Sequence, residues 1–151
     1  MINKGKIAVA GLMLAAVGLP ATAYATTKKA PTLVTYHVDA TGAGEGGLGI
    51  KTAAYAKGIV TVNSKTDRLC YNIESKGLTG VTASHIHMGK KGVDGPVIVT
   101  LNYKSFSSMS TKLLCVSVPA ATAKAIIAKP ADYYLNVHTK KFPNGAVRGQ
   151  L

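Results

Sequence analysis

Short runs rich in Val, Ile, Thr and Tyr, separated by Gly, Pro, Asn and Asp, follow one another from residue 33 to residue 151. That spacing leaves little room for anything but short strands joined by turns. Residues 33–38, 58–63, 69–74, 81–88, 96–101, 112–118, 132–139 and 146–151 read as strands, and the glycine-dense stretch 42–49 reads as a loop. Ser64-Lys65-Thr66-Asp67 reads as a hairpin connection. Within 69–74, Leu69, Tyr71 and Ile73 share one face, and Cys70, Asn72 and Glu74 share the other. A single helix is expected over 119–129, which is Ala-rich, opened by Pro119 and stopped by Pro130. The expected fold is all-β, an antiparallel two-sheet β-sandwich with one short helix.

Ahead of the strands lies a different kind of sequence. Residues 1–25 have the layout of a secretory signal peptide: Lys4 and Lys6, an apolar run over 7–19, then Ala23-Tyr24-Ala25 with small residues at the cleavage positions. The alternative, a retained anchor, needs about 20 apolar residues to span a bilayer, more than this run supplies. The domain reading is therefore a signal peptide over 1–25, a short N-terminal segment over 26–31 and one domain over 32–151. The mature protein is expected in the periplasm or secreted, with no transmembrane anchor after cleavage.

Export gives the cysteines meaning. Cys70 and Cys115 are the only two in the chain, and in an oxidising compartment such a pair is expected to form a disulfide. The alternative is two free buried thiols. A redox role would want a C-x-x-C spacing, which is missing.

Charge narrows the partners without naming one. The chain carries 18 Lys and Arg against 6 acids, and the leader removes only two of those cations. Such a surface favours an anionic envelope surface or an unidentified extracytoplasmic macromolecule, through attraction that salt weakens. Nucleic acid is not expected, because the basic residues are dispersed and export removes the usual targets. Hydrolase chemistry is not expected either. Ser84 and His85 are neighbours on a strand and point apart, no G-x-S-x-G elbow occurs, and the acids show no pairing.

The most informative stretch is Ser84-His85-Ile86-His87-Met88-Gly89. On a strand, His85 and His87 project from one face while Ile86 points to the core. A third imidazole is available from Tyr133-Tyr134-Leu135-Asn136-Val137-His138, where Tyr133, Leu135 and Val137 form the apolar face and His138 sits opposite with Tyr134 and Asn136. Three neutral imidazoles suit copper or zinc with one position open. The competing reading has these histidines holding loops through backbone carbonyls. His37 is either a fourth ligand or a solvated strand residue.

Near the end, Asn144-Gly145 marks a tight turn that folds the last strand back beside His138 and brings Arg148 close. Arg148 then either attracts an anion, or caps carbonyls or pairs with Asp94 or Asp132. Lys90-Lys91 and Lys140-Lys141 each follow a histidine. They are either a cationic rim to the cluster or plain solvated loop residues.

Four blocks, taken together, resemble the CHRD domain, the module named after chordin. They are Ala83-Ser84-His85-Ile86-His87, then Gly92-Val93-Asp94-Gly95-Pro96-Val97-Ile98-Val99, then Tyr133-Tyr134-Leu135-Asn136-Val137-His138-Thr139, then Pro143-Asn144-Gly145-Ala146-Val147-Arg148-Gly149-Gln150-Leu151. The resemblance spans most of 32–151 and implies a non-catalytic exported module that contacts other macromolecules. More distantly the blocks resemble the copper–zinc superoxide dismutases, which implies an Ig-like or superoxide-dismutase-like Greek key. That similarity also matches His85, His87 and His138 to copper-ligand motifs and Arg148 to an anion-guiding arginine. No His lies between His87 and His138, so a bridging imidazole and a histidine-rich zinc loop are excluded while a copper-only site is not. Three functions follow: a non-catalytic exported module that contacts other macromolecules and needs no metal, a copper carrier or buffer built on His85, His87 and His138, or a copper-only superoxide dismutase-like enzyme.

Overall fold

The structure is a computed structural model and describes residues 29–46, 48–106 and 113–151. The expected signal peptide and its cleavage point lie outside the described residues. Eight strands run in chain order: β1 (Leu33–Thr41), β2 (Tyr55–Asn63), β3 (Arg68–Lys76), β4 (Val81–Met88), β5 (Val97–Thr100), β6 (Leu114–Ser117), β7 (Tyr133–Thr139) and β8 (Val147–Gln150). One helix, α1 (Ala120–Ala128), and three short 3₁₀ turns complete the described residues. Each expected strand and the expected helix is present, with ends shifted by a few residues.

All of the strand pairs are antiparallel, in the order β5-β4-β7-β8-β1-β2-β3-β6. The all-β class is therefore correct, but the two expected sheets are one. They join where β8 meets β1 through the single pair Thr41↔Arg148. The sheet curls so that both halves turn their apolar faces into one core, with Val38, Val60, Leu69, Tyr71 and Ile73 on one side and Ile86, Leu135, Val137 and Val147 on the other. Residues at i and i+2 along each strand fill that interior, as the period of two requires. The helix closes it with Ala123 and Ile126.

Local chemistry explains the turns. At the β2–β3 hairpin, Asn63 Oδ1 accepts from the backbone N–H of Lys65 at 2.9 Å and of Thr66 at 3.2 Å, and Asp67 takes the left-handed conformation at φ 53°. Asn and Asp favour these arrangements because their short side chains can satisfy the local backbone. The glycine-dense loop has a different cause. A Cβ on Gly44 would overlap the Arg148 carbonyl oxygen, so only glycine lets this loop lie against β8.

β3 and the edge strand β6 are cross-linked. Cys70 and Cys115 face each other in register and form a disulfide, with Cα atoms 4.0 Å apart. Both cysteines lie at the far end of the strand order from β4.

Both sides of β7 are covered: all seven residues are buried, the polar side with Tyr134, Asn136 and His138 as well as the apolar one. β7 sits between β4 and β8, and the loops over residues 89–96 and 140–146 cover the side that carries Tyr134, Asn136 and His138. A second, polar core results, set between the sheet and its loops.

Candidate metal centre

This polar core is built from β4, β7 and β8. His85 and His87 leave one face of β4 while Ile86 between them is fully buried. The register pairs Ala83 with His138 and His85 with Asn136, which sets His138 diagonally across from His85. Beside His87 the β4–β5 register shifts, and a local irregularity of this kind re-aims a side chain.

The three imidazoles converge. One ligand atom from each of His85, His87 and His138 lies within 4.8 Å of the others, and ring centroids are 5.0 to 5.8 Å apart. Hydrogen bonds determine which nitrogens carry lone pairs. His87 Nδ1–H donates to the Gly95 carbonyl at 2.9 Å, and His138 Nδ1–H donates to the Pro143 carbonyl at 2.9 Å. Both rings therefore keep the lone pair on Nε2 when neutral. His85 Nδ1 lies 3.1 Å from His138 Nε2 and donates to it. His87 Nε2 is buried without a hydrogen-bond partner among the described residues, an arrangement that costs free energy unless something else occupies the site.

Electrostatics favours the neutral rings that a metal needs. Burial lowers the His85 pKa below the ordinary histidine value, and repulsion from His138 and His87 adds to the effect. Burial also lowers that of His138, partly opposed by its hydrogen bond to Pro143, with His87 lowering it further. The donor set fits copper or zinc: two oriented Nε2 lone pairs, a third imidazole alongside, and carbonyl partners holding the ring orientation from behind.

Behind His87 lies a stack that the sequence did not reveal. Tyr134 packs parallel to its ring, with centroids 4.9 Å apart and an angle of 11°. The Arg148 guanidinium lies over the Tyr134 ring at 3.4 Å from its centroid. Arg148 is 3% exposed, and its NH2 donates to the carbonyls of Lys90 at 2.7 Å and Val93 at 2.8 Å. NH1 meets Asp94 at 3.2 Å. Of the alternatives for Arg148, the structure shows carbonyl capping and the Asp94 pair.

Family membership is decided over this same region. The family model of the CHRD domain matches residues 36–151. The chain belongs to the CHRD domain family. All three histidines, Arg148 and both cysteines fall within the matched CHRD residues. Comparison with curated proteins and with solved structures gives no match. His37, also inside the CHRD domain, is exposed on β1 opposite Ile59 and takes no part in the cluster. Lys90, Lys91, Lys140 and Lys141 are exposed, and Lys141 lines a cleft of about 460 Å³ with Glu45, Asp94, Gly145 and Arg148.

Sequence reasoning missed the backbone carbonyls of Gly95 and Pro143, Tyr134 as a stacking partner, and Glu45. Carbonyl partners leave no mark on residue type. The Asn144-Gly145 turn was the one available signal, since it returns the chain to His138.

Proposed function

We propose that this chain is an exported, non-catalytic binding module that holds one copper ion on His85, His87 and His138. The observation that carries this reading is the convergence of three ligand nitrogens within 4.8 Å, two of them on rings fixed by carbonyl hydrogen bonds. Copper is favoured over zinc because affinity at nitrogen sites peaks at Cu²⁺ in the divalent series. Bound copper would bring a Lewis-acidic, redox-active centre. The protein's part is to keep the His85 and His138 imidazoles neutral, to orient the rings, and to bury His87 and His138 beneath the covering loops.

Export is supported by the Cys70–Cys115 disulfide, a bond that persists in oxidising compartments, and by the leader grammar of residues 1–25. Among the described residues, no helix is long and apolar enough to cross a membrane. CHRD family membership supports a module that contacts another macromolecule, and the excess of 18 basic over 6 acidic residues favours an anionic envelope surface as that partner.

A superoxide dismutase-like enzyme is the weaker alternative. An anion-guiding arginine has to present its guanidinium to solvent, whereas Arg148 spends NH2 on two carbonyls and stacks on Tyr134.

Copper titration of the mature protein tests the proposal against His85→Ala and His138→Ala. A matched loss of tight binding in both variants is expected. Unchanged affinity in both sinks the copper reading, and superoxide turnover by the loaded wild type above that of free copper would restore the enzyme.

A further inference from the structure

Arg148 reaches the histidine cluster by two routes. Through its ring contact, it forms a three-layer stack with Tyr134 and His87, the outer layers 3.4 Å and 4.9 Å from the Tyr134 centroid. Through NH2, it ties down the carbonyls of Lys90 and Val93. Those carbonyls belong to the loop that ends at Gly95, whose own carbonyl accepts the proton on His87 Nδ1. Two further bonds hold the loop: Gln150 Nε2 donates to the Gly89 carbonyl at 3.1 Å, and the Gly95 N–H donates to the Tyr134 hydroxyl at 3.3 Å. The loop cannot drift without breaking bonds to side chains of β7 and β8.

The loop geometry is also tightly specified by its glycines. A Cβ on Gly95 would overlap the Met88 carbonyl oxygen, and one on Gly89 would press on the Val93 carbonyl. This close approach brings the Gly95 carbonyl to His87 from the same strand end that carries the imidazole. Isolated imidazole in water has no such acceptor to hold its proton on Nδ1, so the tautomer at His87 depends on where this one carbonyl sits.

We infer that Arg148 is a positioning residue of the candidate metal centre: by clamping the 89–95 loop and stacking Tyr134 on His87, it holds His87 in the Nδ1–H form with Nε2 free for a ligand. The inference rests on the copper reading for its functional meaning, but its structural core concerns the metal-free ring. A guanidinium is suited to the task because it is planar, stacks on an aromatic face and donates from several nitrogens at once. An ammonium does neither the stacking nor the forked donation in the same way. The ion pair with Asp94 contributes little, since that carboxylate is 89% exposed.

Nitrogen-15 NMR of the histidine rings in the metal-free protein, together with copper competition titration, tests this in wild type, Arg148→Lys, Tyr134→Phe and Tyr134→Leu. In wild type, His87 is expected in a single Nδ1–H form. Arg148→Lys and Tyr134→Leu should mix the two tautomers at His87 while leaving His138 on Pro143, and should weaken copper binding by about 10- to 100-fold, the usual effect of losing a group behind a metal ligand. Tyr134→Phe keeps the stacked ring and loses only the hydroxyl that accepts from the Gly95 N–H, so it should shift both readouts less than Tyr134→Leu does. A folded Arg148→Lys protein whose His87 tautomer and copper affinity match wild type overturns the inference. If that variant does not fold, Tyr134→Leu against Tyr134→Phe decides it by the same two readouts. Failure of the copper reading looks different: wild type then binds no copper tightly, yet the tautomer shift at His87 still reports on Arg148.

Discussion

His85 and His138, on neighbouring strands and 53 residues apart in sequence, share a hydrogen bond of 3.1 Å between Nδ1 and Nε2. The bond needs a lone pair on one of the two facing nitrogens, so it is lost once acid has charged both rings. Both rings have pKa values lowered by burial, and the sign follows. A histidine harder to protonate in the folded state than in the unfolded chain leaves stability flat at high pH. Stability then declines as pH falls below the unfolded value of about 6.5 and on through the folded one. The melting temperature of the metal-free protein should therefore fall on acidification below about pH 6.5. It should do so less steeply in His85→Ala/His138→Ala, which isolates the histidines from the carboxylates.

The disulfide and the histidine cluster occupy opposite parts of the strand order. Cys70→Ser/Cys115→Ser opens a cross-link spanning 45 residues and is expected to cost about 4 kcal/mol in urea unfolding, the figure that the loop-entropy view gives for such a span. Copper affinity should stay within about twofold of wild type, because β4 and β7 pair with neither β3 nor β6.

Ile86 connects the two cores. It is fully buried beneath the strand that carries His85 and His87, so Ile86→Ala leaves a cavity under the cluster. A loss of about 2 to 5 kcal/mol in unfolding free energy is expected. Ile86→Val, which removes one methylene, should cost about 0.5 to 1.5 kcal/mol by the same measurement.

Glu45 is half-buried, and burial raises its pKa although Arg148 pulls the other way. Its Oε1 has no hydrogen-bond partner among the described residues. A carboxyl more easily protonated in the folded than in the unfolded state lends stability at low pH that is lost as pH rises through the folded pKa. Glu45→Gln should thus unfold at a higher temperature than wild type at neutral pH, with the gap closing towards pH 4. A wild type that is the more stable of the two at neutral pH would contradict this account.

Binding to an anionic surface is expected to be electrostatic. Association of the mature protein with phosphatidylglycerol vesicles should be readily detected at about 50 mM salt and largely lost at about 500 mM, where screening acts within a few ångströms. Neutral phosphatidylcholine vesicles should bind little at either salt concentration. Binding that ignores salt would point instead to an apolar contact.

Much of this protein is determined by sequence alone, because the information is local. Alternation put Leu69, Tyr71 and Ile73 on one face, and all three are buried. Spacing of two put His85 and His87 on one face, and Pro119 and Pro130 bounded the helix. Each of these follows from backbone geometry over a few residues. Tertiary structure decided the rest: that the expected two sheets are one, that the polar side of β7 is buried, and that Arg148 turns from solvent to the carbonyls of Lys90 and Val93. Those outcomes depend on which strands become neighbours and which loop folds over them. Such pairings are set by the summed packing of distant segments, and no single stretch of residues encodes them.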